Sequence, residues 1–134
     1  MAQIDTIEGI GPQYAEKLKA LGIASVEKLL EAGATSKGRD ELASQTGISN
    51  KLILRWINHA DLFRIKGIGG QFSELLEAAG VDTVPELAHR NAENLHQALV
   101  KTNEEKKLAK TTPSLNQVTT WIAEAKTLPR VIQH

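Results

Sequence analysis

The sequence contains no cysteine, which excludes disulfide frameworks and thiolate metal centres. Aromatic residues are scarce, at 4% of 134 positions, so an interior must be built from Leu, Ile, Val and Ala. Those side chains suit helix packing better than a β-sandwich. An excess of one charge is also missing, since 16 basic residues face 16 acidic ones. The balance is local too: residues 1–64 hold eight of each sign, and so do residues 65–134. A strongly basic chain would have pointed to nucleic acid. Here any binding field must come from local clusters. No apolar run approaches the ~20 residues of a membrane span. The start "MAQIDTIEGIG" has no basic stretch followed by a long apolar one, so no signal peptide is expected. A cytoplasmic protein is the resulting expectation.

What the chain does have is 41% hydrophobic residues, enough for a folded protein of one or two small domains. It also has an internal repeat. The stretch "IEGIGPQYAEKLKALGI" (Ile7–Ile23) returns 58 residues later as "IKGIGGQFSELLEAAGV" (Ile65–Val81). Over Ile7–Leu30 and Ile65–Ala88, 11 of 24 positions are identical without a gap. The match resumes with a shift of 65, pairing "SNKLILRWINHA" (Ser49–Ala60) with "SLNQVTTWIAEA" (Ser114–Ala125). The second copy therefore carries seven extra residues between Asn91 and Pro113. Self-similarity on this scale signals a repeated supersecondary unit. The expected domains are 1–62 and 63–134, packed as one unit or as two subdomains. "LPRV" (Leu128–Val131) matches "LFRI" (Leu62–Ile65) and reads as the start of a third copy that stops.

Local signals favour helices throughout. Pro12 follows Gly11 at a first helical position, and Gly22 suits a C′ residue. Ser25 and Thr83 are placed to cap short helices, with Pro85 just inside the second. Thr35 or Ser36 suits the start of a helix through Gln45 that Gly47 ends. Asn91 suits the start of another reaching about Lys107, and Ser49 and Ser114 the starts of the Trp-bearing helices. No segment alternates as a strand does. The fold class expected is all-α, with eight to ten helices.

In each Gly-Ile-Gly turn, glycine allows a tight reversal between helices, and the Ile between the two glycines should plug the angle. The second glycine leaves the first amides of the next helix open, where the helix dipole favours an anion. "IEGIGPQYAEKLKALGIASVEKL" and "IKGIGGQFSELLEAAGVDTVPEL" resemble helix-hairpin-helix motifs. Nearly the whole chain is similar to an uncharacterised bacterial and archaeal family of tandem helix-hairpin-helix proteins, a domain of unknown function. The resemblance implies two tandem repeats and binding to the DNA backbone without sequence preference. It places the phosphate-facing amides at Ile10, Gly11 and Gln13, and at Ile68, Gly69 and Gln71. Lys17, Arg64 and Lys66 are the nearby cations. Such hairpins usually bring a base just after the second glycine, whereas Gln13 and Gln71 stand there. Glu8 lies inside the first turn, and Glu74 and Glu77 on the helix after the second. These departures, with the zero net charge, motivate a second reading, a protein-docking or scaffold module, behind the leading one of DNA-backbone binding.

Other features read as structural. Trp56 and Trp121 lie within apolar i, i+3/i+4 patterns and belong in a core. Lys37 and Arg39 mark an exposed helix start. Lys51 and Arg55 share a helix face. Lys101, Lys106, Lys107 and Lys110 are interrupted by Glu104 and Glu105, as on a solvated face. His59, His89, His96 and His134 lack metal-site spacing and read as surface residues. Asp82 helps start the following helix. No catalytic set or nucleotide-binding loop is evident, so neither an enzyme nor a cofactor is expected.

Overall fold

The computed structural model describes residues 2–134. They form eight α-helices and one 3-10 turn, and no strand occurs among them. An isolated bridge pairs Gln3 with Ser25. No helix of the described residues is long and apolar enough to cross a membrane. The chain divides into two compact units: residues up to Asp61 together with Val131–His134, and Leu62–Arg130.

The first unit holds the 3-10 turn Ile4–Thr6, α1 (Pro12–Ala20), α2 (Val26–Ala32), α3 (Ser36–Thr46) and nearly all of α4 (Asn50–Leu62). Helix α1 stops at Gly22, whose φ of +82° only glycine adopts without cost. The following amide closes the end, Ile23 N–H donating to Leu18 O at 3.0 Å, as in a Schellman cap. Ser25 caps α2 by accepting from Lys28 N–H at 3.1 Å. Thr35 caps α3 through Gly38 N–H at 3.0 Å, and Gly47 ends it at φ +74°. Ser49 caps α4 through Leu52 N–H at 3.3 Å. The apolar positions these helices turn inward include Ile4, Ile7, Leu18, Leu29, Ile53 and Ile57.

The last four residues carry no helix and form a strap on the first unit, with Ile132 buried. Gln133 N–H donates to Ala34 O at 2.7 Å. Arg39 holds both sides of this junction. Its guanidinium donates to Gly33 O at 2.8 Å and to Gln133 O at 2.8 Å. Arg39 is therefore 7% exposed rather than a surface cation. The reason is geometric: Gly33 ends α2 and leaves a carbonyl open, and a fork of fixed donors can join it to the strap.

The second unit holds α5 (Gly70–Ala78), α6 (Val84–Ala88), α7 (Ala92–Lys106) and α8 (Leu115–Ala125). Helices α6 and α7 pack on α8, and α5 packs on α7. Leu75, Leu76, Leu87, Leu95, Leu99 and Trp121 meet in one core. The local devices return in the same order. Gly80 takes φ +95° after α5, and Val81 N–H donates to Leu76 O at 2.8 Å. Asn91 caps α7 through Asn94 N–H at 3.0 Å. Ser114 and Gln117 form a reciprocal capping box at α8. One expectation fails: Thr83 makes no side-chain cap bond at α6.

Both tryptophans are core residues, at 0% and 2% exposure. Each also meets the aromatic ring of its own repeat. Tyr14 lies 5.1 Å from Trp56 and Phe72 lies 5.3 Å from Trp121, both pairs tilted. Both centroid distances lie in the range over which aromatic rings attract.

Candidate functional site

The two Gly-Ile-Gly turns share one construction. Gly9 and Gly67 take φ +96° and +92°. Each is the third residue of a β-turn closed by the next amide, Ile10 N–H to Ile7 O at 3.2 Å and Ile68 N–H to Ile65 O at 3.1 Å. A positive φ at that place is the demand of a type II turn. A Cβ at Gly9 would stand 3.4 Å from Trp56 Nε1, and one at Gly67 would stand 3.4 Å from Trp121 Nε1, ordinary contact distances. The first glycine of each turn is thus fixed by its backbone, and each turn lies over a tryptophan. Ile10 and Ile68 point inward, each 4% exposed.

This geometry corrects two of the sequence-based sites. The amides of Ile10 and Ile68 do not face outward, because each closes its own turn. The residues that follow are different. Gly11 and Gly69 are the N-caps of α1 and α5, and neither helix start has a side-chain cap bond. Their first carbonyl bonds are Gly11 O to Ala15 N–H and Gly69 O to Ser73 N–H, both 2.9 Å. The opening amides of a helix have no partner within it. In α1 these belong to Gln13 and Tyr14, since Pro12 has no N–H. In α5 they belong to Gly70, Gln71 and Phe72, one more than in α1. The extra amide at Gly70 was readable from the Pro12/Gly70 difference. Gln13 and Gln71 both lie exposed at this rim.

The second glycine of each turn has no conformational reason to be glycine. Gly11 is extended at φ −81°, ψ −178°, and Gly69 at φ −116°, ψ −157°. A Cβ at either would meet nothing within 4 Å.

The three cations fare differently. Lys66 is exposed on the second turn. Its own amide donates to Glu124 Oε1 at 3.2 Å, which brings a carboxylate to that turn. Nothing in the local sequence hints at this acidic neighbour, 58 residues away. Arg64 is half-buried and donates to Pro129 O at 2.7 Å, bracing the chain before the second turn. Lys17 is exposed but lies in the last turn of α1, the end opposite the open amides. Five residues past Pro12 is about 7 Å along a helix axis.

The surfaces beside the turns differ in charge. A cleft next to the first is lined by Asp5, Ile10, Pro12, Ala15, Glu16 and Lys19. Glu8, inside the first turn, is exposed as well. His59 departs from its surface reading, being fully buried at the end of α4. No group of three or more metal-ligating side chains occurs among the described residues.

Residues 8–128 match a family described as Domain of unknown function (DUF4332), and the chain belongs to that family. No solved structure matches the chain.

Proposed function

We propose that this member of the DUF4332 family is a non-catalytic tandem helix-hairpin-helix protein that holds duplex DNA by its phosphates. The observation that carries the reading is the contrast among helix starts. Ser25, Thr35, Ser49, Asn91 and Ser114 cap α2, α3, α4, α7 and α8. Helices α1 and α5 begin without a side-chain cap bond, and in the five-residue α6 Thr83 makes none either. The bare starts of α1 and α5 both sit behind a glycine with open space before it. Open amides at the positive end of a helix suit a phosphate oxygen. Bonds of this kind fix position on the duplex and read no bases. With 16 charges of each sign the chain has no long-range attraction to add. Its affinity should then fall in the ordinary non-specific range, with Kd of about 10⁻⁴–10⁻⁶ M.

Titration of the protein into a labelled duplex at a series of salt concentrations tests this. Log affinity should fall linearly with log salt. Gly11→Leu and Gly69→Leu together should weaken binding roughly tenfold by screening charge-assisted hydrogen bonds, while the protein stays folded at a cost of about 1 kcal/mol per helix, since Leu is a poorer N-cap than Gly. No binding at the lowest salt rejects the reading. It would favour a protein-docking role instead, which the carboxylates Asp5, Glu8 and Glu16 around the first turn support.

A further inference from the structure

The extra residues of the second repeat form a loop whose conformation is tightly specified. Helix α7 ends at Lys107, the one non-glycine residue among those described with a positive φ, +52°. A side chain there costs about 1–2 kcal/mol relative to a right-handed residue, and glycine would avoid the cost. One side chain then clasps the loop. Asn103 Oδ1 accepts from Ala109 N–H at 2.9 Å, and its Nδ2 donates to Ala109 O at 3.1 Å. The same Nδ2 reaches Thr112 Oγ1 at 3.4 Å. The loop is also tied to the turn region, because Lys110 N–H donates to Gln71 Oε1 at 3.2 Å. Gln71 is the residue after Gly70, at the bare start of α5.

The result is a cleft lined by Gln71, Asn103, Lys107, Leu108, Ala109 and Lys110. Both lysines are exposed, and no carboxylate lines it. The cleft beside the first turn has two carboxylates and one lysine. Glu104 and Glu105 interrupt the lysines in sequence, but neither lines this cleft. The helix-hairpin-helix pattern puts a base two residues past the second glycine, where this chain has Gln71. Here that glutamine accepts the backbone of a lysine-bearing loop.

We infer that the cleft between α5 and the α7–α8 loop is the principal surface for duplex DNA, with Lys107 and Lys110 pairing with successive phosphates. This rests on the phosphate-binding reading of the preceding subsection and assigns it to one of the two turns. The inserted loop supplies from a distance the cations that the turn itself lacks. Lys107 and Lys110 rim the cleft that Gln71 walls, so the duplex backbone follows that cleft past the start of α5.

Two charge-matched pairs of substitutions test the assignment. Lys107→Asn with Lys110→Gln removes the loop cations. Asn tolerates the left-handed conformation, and the Lys110 amide stays on Gln71. Lys17→Gln with Lys19→Gln removes the same charge from the first repeat. The same salt titration on a labelled duplex is run for both. The loop pair should lower the slope of log affinity against log salt by about 1.8, at roughly 0.9 for each phosphate no longer neutralised. The first-repeat pair should leave the slope within about 0.5 of the unaltered protein. Equal falls in slope for the two pairs, or an unchanged slope in the loop pair, overturn the inference while the phosphate-binding reading stands. If the unaltered protein fails to bind at all, both fall together.

Discussion

Four residues after their caps, α3 and α7 bury different side chains: Arg39 follows Thr35, and Leu95 follows Asn91. The leucine needs only apolar neighbours, which Leu75, Leu87 and Val118 of its core supply. The arginine needs acceptors, since a buried charge without them is strongly destabilising. The first unit meets that need with Gly33 O and with a strap from the far end of the chain. The same difference appears on the Trp-bearing helices. After Trp56 come His59 and Asp61, both buried, whereas the corresponding Glu124 and Lys126 after Trp121 are half-buried and exposed. Two copies of one helical unit have thus diverged, one burying Arg39, His59 and Asp61 and the other burying no charged side chain but carrying a basic loop. What they keep in common is the turn over a tryptophan.

The largest expected effect tests that shared part. Trp56→Ala and Trp121→Ala should each destabilise by about 3–5 kcal/mol, the usual cost of emptying a large aromatic site. Each also removes a ring pair, with Tyr14 or with Phe72. Urea unfolding of both variants measures the costs. If one substitution costs less than about 1 kcal/mol, the two tryptophans are not equivalent keystones and the comparison fails at its base.

A smaller effect tests the part that has diverged. Arg39→Ala strands Gly33 O and Gln133 O, and should cost about 2–3 kcal/mol, as for hydrogen bonds to a charged group. Removal of Val131–His134 should cost a similar amount, because Arg39 is then without Gln133 O and Ala34 O without its donor. Combined, the two changes should cost less than their sum, the signature of residues that share one interaction. A double-mutant cycle by urea unfolding measures the coupling. Strict additivity would mean that the strap is held without Arg39, by Ile132 and the Gln133–Ala34 bond.

The features legible in the sequence are those set within a few residues. Caps at Ser25, Thr35, Ser49, Asn91 and Ser114, and stops at Gly22 and Gly47, are decided by neighbours three or four positions away. The tryptophans were legible as core because an apolar i, i+4 pattern surrounds each. The illegible features depend on partners that no local pattern encodes. Arg39 reads as an exposed helix-start cation until its carbonyl acceptor, 94 residues away, is in place. Gln71 reads as a missing base until the loop 39 residues later settles on it. The amides of Ile10 and Ile68 are a different case. The turn that Gly9 and Gly67 require already consumes the next amide, so the sequence held that information.

The smallest expected effect separates two positions that look alike in sequence. Ser25 and Thr83 occupy matching sites before α2 and α6. A cap side chain serves the second or third amide of its helix. In α2 both exist, and Ser25 takes that of Lys28. In α6 the second residue is Pro85, which has no amide, and Thr83 bonds none. The first turn of α6 is tied another way, by Asp82 N–H donating to Glu86 Oε2 at 3.3 Å. Ser25→Ala should therefore cost about 1 kcal/mol and Thr83→Ala less than about 0.5 kcal/mol. Glu86→Ala should exceed Thr83→Ala, since it removes the acceptor in use. Thermal unfolding of the three variants ranks them. Equal destabilisation at Ser25 and Thr83 would show that the hydroxyl of Thr83 caps α6 in solution, and that proline does not divide the two repeats at this point.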